Sequence, residues 1–523
     1  MKQKFVPFYP FIFPIYAVLL LLANNTGEVE FQIAIRPAIA LFLFTSILFA
    51  FFRMIIPDIH MSSLATFLLS FILFSYGHIY EGLKSLNLLS PALVRHRFLL
   101  PTLLVMLLGL FFLIKRAKIK SNITLYLNAS MIVLILLPSA QLINFSIKSE
   151  TLSTGGNPSQ VACDPMADIP ELLPDIYIFI MDAYEREDVL AELHGFDNSP
   201  FLDWLEAHGF YIAAGSLSNY RHTELSIASM LNMNYIQSFP DRYSIESNNR
   251  MGIIGMISDN LLRHELACLG YKTVAIDSGL FWTNWQDADY FLTQSSGPLD
   301  DAKLLGRLTN FEALLFETTI GRAYLDTNKT LAENRPAILT DQFDEHRARI
   351  LFSFDQLEEV SKLPALKLVF IHILSPHPPM VFGPNGETVN YANFNTTPAT
   401  SNADNILLKA YADQVQFLNT RLQEVIGNLL TASESPPIII IQGDHGWADR
   451  NHEDKLSILN AYHLPGFDVD HLYPQITPVN SFRLILANYF NADYDLLPDI
   501  SYYSSGDSVF QFEIVENTWD AKR

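Results

Sequence analysis

Five apolar stretches crowd into the first 150 residues of this 523-residue chain. Each is long enough, or nearly so, to cross ~30 Å of hydrocarbon as a helix. They run over 6–23, 34–56, 61–80, 98–114 and 122–146. In lipid every backbone polar group must be paired within its own segment, so helices are the form these stretches can take. A cleaved leader would account for the first and for none of the others. The fourth has 17 uninterrupted apolar or small residues from Phe98 to Ile114, and Lys115 and Arg116 can snorkel at its end.

Orientation follows from the basic residues between the spans. With the N-terminus inside, the inner segments hold Lys2, Lys4, Arg53, Lys115, Arg116, Lys118 and Lys120, against Arg36, Lys84, Arg95, Arg97 and Lys148 outside. The 115–120 cluster sits in a short loop, where the rule is strongest. An odd number of spans then puts everything after about residue 147 on the outer face. A conducting pathway would need ionisable groups inside the spans. Arg36, Arg53 and His78 lie near helix ends instead, so the helices read as an anchor.

Composition confirms two unlike regions behind one average. Residues 1–150 carry 12 Lys+Arg and 5 Asp+Glu, whereas the whole chain is at -21. The acidity therefore belongs to the rest, which argues against a nucleic-acid-binding surface. An aromatic content of 12% argues against disorder. The expected organisation is a transmembrane domain over 1–147, a Ser/Gly/Pro-rich linker over 148–173 and an outer domain over 174–523. Cys163 and Cys268 both fall on the oxidising side, where a disulfide between them is permitted.

From residue 174 onward strands and helices alternate, which predicts a mostly parallel sheet with helices on both faces. Strands are expected over 175–181, 210–214, 271–277, 366–374 and 437–442, with helices over 199–208, 223–233, 252–269, 341–362 and 403–430. Ligands of such sheets bind beyond the carboxyl ends of the strands. There the sequence delivers Asp182, then Ser375-Pro376-His377, then Asp444-His445. Carboxylate and imidazole together suit Zn²⁺ or Mn²⁺. Thr223 opens a helix, where terminal amides and a nearby cation would favour its alkoxide as a nucleophile; a plain helix cap is the structural alternative. His372, inside its strand, reads as a buried core residue. Arg221, His222, Arg450 and His452 are polar loop positions able to meet a substrate.

The segments PDIYIFIMDAYERED (174–188), SNYRHTELSIASMLNM (218–233), FIHILSPHPPMVF (370–382) and IIIIQGDHG (438–446), with ILNAYHLPG (458–466) and PVNSFRLILANYF (478–490), resemble the membrane-bound, sulfatase-like branch of the alkaline phosphatase superfamily. That branch includes lipoteichoic acid synthases and lipid A phosphoethanolamine transferases. The resemblance spans roughly 174–505 and shares the layout of five N-terminal helices before an outer catalytic domain. It implies an alkaline-phosphatase-like α/β fold and one divalent metal ion, Mn or Zn, with Mg or Ca as alternatives, held by Asp182, Thr223, Asp444 and His445. It further implies attack by Thr223 on a phosphodiester, His377 beside the phosphoryl group, and Arg221 and His222 as substrate contacts. The substrate it implies is a membrane lipid or envelope glycan.

Two departures sharpen the expectation. The early ligand in those transferases is usually Glu, whereas Asp182 holds the place here, closer to sulfatases. Sulfatases need Cys or Ser followed by Pro and Arg for formylglycine formation, and Thr223-Glu-Leu-Ser226-Ile lacks both. A phosphoryl-group transferase or phosphodiesterase is therefore expected, with a sulfuric ester hydrolase or a silent envelope scaffold as alternatives.

Overall fold

The structure, a computed structural model, describes residues 6–26, 31–85, 94–117, 120–153, 173–246, 248–294, 310–328, 337–364, 366–389, 401–433, 435–448 and 450–520. Most of the expected linker, including Cys163, lies outside these residues. The chain divides into two compact units, Met1–Lys148 with Gly297–Gln342, and Ser149–Ser296 with Phe343–Arg523.

The first unit contains the apolar helices α1 (Tyr9–Asn24), α2 (Ile35–Ile55), α3 (Ile59–Ser85), α4 (His96–Ala117) and α5 (Lys120–Ser153). Four of the five are long and apolar enough to cross a membrane. The exception is α1, whose 16 residues give about 24 Å at 1.5 Å per residue. Its ends are nevertheless satisfied by α5. Asn128 accepts from the backbone N–H groups of Phe8 and Tyr9, both at 3.1 Å, and donates to the Val6 carbonyl at 2.9 Å. Gln141 donates to the Ala23 carbonyl at 2.7 Å. One helix thus caps both ends of another, at the positions where orphan backbone groups would be costliest in an apolar medium.

Two short helices, Asn310–Thr318 and Gly321–Asn328, also belong to this unit. Glu312 takes a bidentate ion pair from Arg36 at the start of α2. Arg322 reaches Glu81 near the end of α3 at 2.6 Å, and Asp326 meets His96 at the start of α4 at 3.1 Å. The start of α2, the end of α3 and the start of α4 therefore share one side, as consecutive spans that reverse direction require.

In the second unit the chain runs β1 (Ile176–Met181), α6 (Glu187–His194), α7 (Ser199–Ala207), β2 (Phe210–Ile212), α8 (Thr223–Leu231), α9 (Met251–Ser258), α10 (Leu261–Cys268), β3 (Lys272–Ile276) and β4 (Tyr290–Leu292). With the two short helices above counted as α11 and α12, it continues through α13 (Ala337–Ser361), β5 (Lys367–Ile373), α14 (Ser401–Ala432), β6 (Ile438–Gly443), α15 (His452–Leu456), β7 (Asn460–His463), α16 (Pro478–Phe490), β8 (Ser501–Tyr503) and β9 (Glu513–Val515). Seven strands form one sheet in the order β2-β7-β6-β1-β5-β3-β4. All neighbours are parallel except β7, which is antiparallel to both β6 and β2. The small antiparallel pair β8–β9 stands apart from it.

Central β1 is buried on both faces, and its alternation divides the core. Ile176, Ile178 and Ile180 face a cluster built from α8, α9, α10 and α16. Tyr177, Phe179 and Met181 face one built from α6, α7, α13 and α14. At roughly 1.5–3 kcal/mol for each large apolar side chain fully buried, a one-residue slip would turn both sets to the wrong face. The helix expected over 252–269 is broken into α9 and α10. Asn260 caps the second piece by accepting from Arg263 N–H at 2.9 Å, the ordinary local chemistry of an N-cap. Cys268 closes α10 and is disulfide-bonded.

Candidate metal centre

Three adjacent parallel strands, β5, β1 and β6, end at one edge and set the site. Asp182 follows β1 directly, and its N–H donates to Ile373 at 2.9 Å, continuing the ladder by one residue. His377 N–H donates back to the Asp182 carbonyl at 3.0 Å, folding the loop after β5 over the same edge. Asp444 and His445 follow β6. Gly443 is required at its end because a Cβ there would lie 2.4 Å from the Tyr184 carbonyl oxygen.

Asp182, Asp444 and His445 each offer a ligand atom within 4.8 Å of one another, and all three are buried. Asp444 Oδ1 accepts from the N–H groups of Ala183 and His445, both at 2.9 Å. Its Oδ2 has no partner, and neither has Asp182 Oδ1. His445 Nδ1 donates to the Gly446 carbonyl at 2.9 Å. In the neutral ring that leaves Nε2 as a lone pair, 3.7 Å from Asp182 Oδ1 and 3.5 Å from Asp444 Oδ2. Burial holds the His445 ring well below its usual pKa, aided by the positive Lys455. Two unpartnered carboxylate oxygens and one imidazole nitrogen thus face one point. Buried acceptors without a donor are costly, and a divalent cation is what such a donor set fits.

Thr223 is the first residue of α8 and is 8% exposed. Its Oγ1 lies 3.2 Å from His445 Nε2. The hydroxyl therefore sits at the helix N-terminus and against His445 Nε2 at once. Ser226 points elsewhere, to Ser218 at 3.0 Å.

His372 belongs to this edge as well, although its place inside a strand reads as core. It is 1% exposed, and its Nε2 is unpartnered at 3.9 Å from Asp182 Oδ2. Asn284 donates to the Asp277 carboxylate at 2.6 Å, which leaves the amide oxygen to accept from Ser278 Oγ at 2.8 Å. Thr283 Oγ1 lies 2.9 Å from Ser278 Oγ and 3.0 Å from His372 Nδ1, which ties the ring into this network. Burial pushes the ring down to about 4. His372 Nε2 is thus a further buried, unpartnered nitrogen beside Asp182. The one polar residue in Leu-Val-Phe-Ile-His372-Ile was the available sequence signal.

His377 stands across from His445, with ring centroids 6.2 Å apart. Its Nδ1 donates to the Pro378 carbonyl at 2.7 Å, and burial lowers its pKa, so Nε2 is also an acceptor. His222 is pushed down to about 3, first by burial and then by Arg250 and Arg221. Arg221 stacks over Tyr503 and donates to its hydroxyl at 3.0 Å, and His452 stacks on the same Tyr503 ring with centroids 3.6 Å apart. Arg450 pairs with Asp454 at 2.7 Å, as a surface charge would. Lys455, on α15, was not singled out by sequence. Its charge lowers Asp182, His377 and His445 alike, which places it beside the site.

No family model and no curated protein matches the chain. Among solved structures it is similar to the C-terminal periplasmic domain of EcEptC from Escherichia coli in complex with Zn, at 12% identity over 68% of this chain and 94% of that one, with a TM-score of 0.42. It is similar to the lipoteichoic acid synthase LtaP from Listeria monocytogenes, at 13% identity over 63% and 77%, with a TM-score of 0.39. The integral membrane lipooligosaccharide phosphoethanolamine transferase A from Neisseria meningitidis matches at 13% identity over 92% and 94%, with a TM-score of 0.37. These are the same groups of enzymes that the sequence motifs resemble. The chemistry of the site rests on its own donor set.

Proposed function

We propose that this chain is a membrane-anchored, divalent-metal-dependent phosphoryl-group transferase or phosphodiesterase, with its catalytic unit on the outer face and Thr223 as nucleophile. The observation that carries this reading is the Thr223 hydroxyl at 3.2 Å from His445 Nε2, against two unpartnered carboxylate oxygens. Asp182, Thr223, Asp444 and His445 would hold one cation, Zn²⁺ or Mn²⁺. Such an ion lowers the proton affinity of a bound hydroxyl and offsets charge developing on phosphoryl oxygens.

Thr223 Oγ attacks phosphorus, the bond to the leaving oxygen breaks, and the departing alcohol takes up a proton. The N-terminal end of α8, where Thr223 sits, is the positive end of the helix dipole and favours an incoming anion. An acceptor hydroxyl, or water, then attacks the phosphothreonine, restoring Thr223 and transferring the group. His377, neutral with Nε2 open, is suited to take the proton of that acceptor, while the Thr223 oxygen takes up a proton as it leaves phosphorus. Arg221, His222 and Lys455 supply positive or hydrogen-bonding surface for phosphate oxygens. A membrane lipid as donor, with a lipid or envelope glycan as acceptor, suits a catalytic unit tethered to apolar helices.

Thr223→Ala is expected to lower turnover of a phosphodiester by at least ~10³-fold while leaving bound divalent metal measurable, because removing a covalent nucleophile removes the step itself. Turnover unchanged in that variant would refute the mechanism.

A further inference from the structure

Glu185, His194 and Tyr411 form a second buried polar cluster outside the ligand set. The side chains of Glu185 and His194 are fully buried, and His194 Nε2 lies 2.6 Å from Glu185 Oε2. Glu185 Oε1 accepts from the Ala448 N–H at 2.5 Å. On the other side of the ring, His194 Nδ1 faces the Leu408 carbonyl at 3.2 Å. A carbonyl only accepts, so Nδ1 carries a proton. A further proton must then lie on the line between Nε2 and Oε2, because two acceptors do not approach so closely without one.

Two observations favour placing that proton on the imidazole. His194 is the last residue of α6, where a positive charge meets the free carbonyls of the helix end. Its ring also stacks on Tyr411 at 4.5 Å and lies 5.8 Å from Trp447, whose π faces attract a cation.

The cluster joins the two loops that carry the metal ligands. Glu185 follows Asp182 by three residues, and Ala448 follows His445 by three. Tyr411 donates to the Ala183 carbonyl at 2.7 Å and accepts from Glu185 N–H at 3.2 Å. Ala183 is held at φ 62, a left-handed conformation unfavourable for a residue with a Cβ. Its N–H is the group that donates to Asp444 Oδ1.

We propose that Glu185 and His194 are positioning residues: a buried, proton-sharing clamp that fixes the loop after β1 against the loop after β6, and so sets the affinity of the metal centre. The clamp rests on the metal reading of the previous subsection. Its test uses the full-length protein in detergent micelles. Glu185→Gln and His194→Gln keep side-chain volume, and His194→Phe keeps the aromatic stack while removing both ring N–H groups. Zn²⁺ and Mn²⁺ dissociation constants are measured by competition with a chromogenic chelator, alongside kcat and KM for bis-p-nitrophenyl phosphate and the unfolding temperature of the metal-free protein. Loss of a group that orients ligands typically weakens metal binding ~10–100-fold, and that range is expected for Glu185→Gln, with kcat falling and KM changing by less than about two-fold. Glu192→Gln, on the exposed face of α6, is the control that should bind metal as the parent does. A parent that binds metal, with Glu185→Gln and His194→Gln binding it equally tightly and differing only in unfolding temperature, would overturn the clamp and leave the proposed function standing. A parent that binds no divalent ion would overturn both.

Discussion

Thr223 and His445 illustrate how much chemistry hangs on single hydrogen atoms. The Gly446 carbonyl fixes His445 with its proton on Nδ1, and that contact leaves the Nε2 lone pair facing Asp182 and Asp444. Asp182 carries a second consequence. Burial, with the neighbouring Asp444 charge, pushes its carboxyl well above the ordinary value. The folded protein without a cation therefore keeps a proton that the unfolded chain releases in the ordinary carboxylate range. Stability from this group is complete below that range and is lost as pH rises through the folded pKa. Bound metal removes the effect by replacing the proton. As pH rises above the ordinary carboxylate range, the metal-free protein is expected to lose thermal stability more steeply than the metal-loaded protein, in parallel melting curves. Identical pH profiles would contradict this account of Asp182.

At this scale the sequence was informative where function coincides with strand ends. Asp182, Asp444 and His445 come together because β1 and β6 are adjacent and parallel, and Thr223 joins them at the start of α8. His372 was less legible, because only the pairing of Ile180 with His372 across β1 and β5 shows how near the edge it stands. Lys455 was invisible, since a five-residue helix in a loop gives no periodic signal.

Among elements, α1 and β6 make the sharpest cases. No side chain of its own caps α1; Asn128 on α5 does so instead. Asn128→Ala is expected to destabilise the helix unit by about 1 kcal/mol, as loss of an N-cap does, read as a lower unfolding temperature in detergent. An unchanged temperature would mean that the cap is dispensable. Gly443→Ala is expected to disturb the strand end that carries Asp444, with loss of metal binding exceeding loss of secondary structure by circular dichroism. Buried strands of five to seven residues were plain in the sequence as unbroken apolar runs. The three-residue β4 and four-residue β7 were not, because so short a segment carries no period. The α9–α10 break was hidden for the opposite reason: the apolar spacing runs across it, and Asn260 alone marks the new start.

For the whole molecule, the split in charge and the split in solvent coincide. A chain at -21 overall begins with helices whose flanks are basic and continues into an acidic α/β unit. Both halves were legible from composition and strand alternation. The return of α11 and α12 to the helix unit was not, since no spacing or motif marks the pairing of Glu312 with Arg36. The topology predicts that a C-terminal tag is cleaved by protease added outside intact cells, whereas an N-terminal tag is protected. The reverse pattern would place the site on the wrong face for an envelope substrate.

The central claim is the covalent step at Thr223. Full-length protein incubated with its divalent metal and a membrane lipid extract, then quenched in acid and digested, gives the peptide containing Thr223 for mass analysis. A phosphoryl-containing adduct on Thr223, lost when Ala replaces it, is the predicted result. Product formation with the Thr223 peptide unmodified at every time point would contradict it.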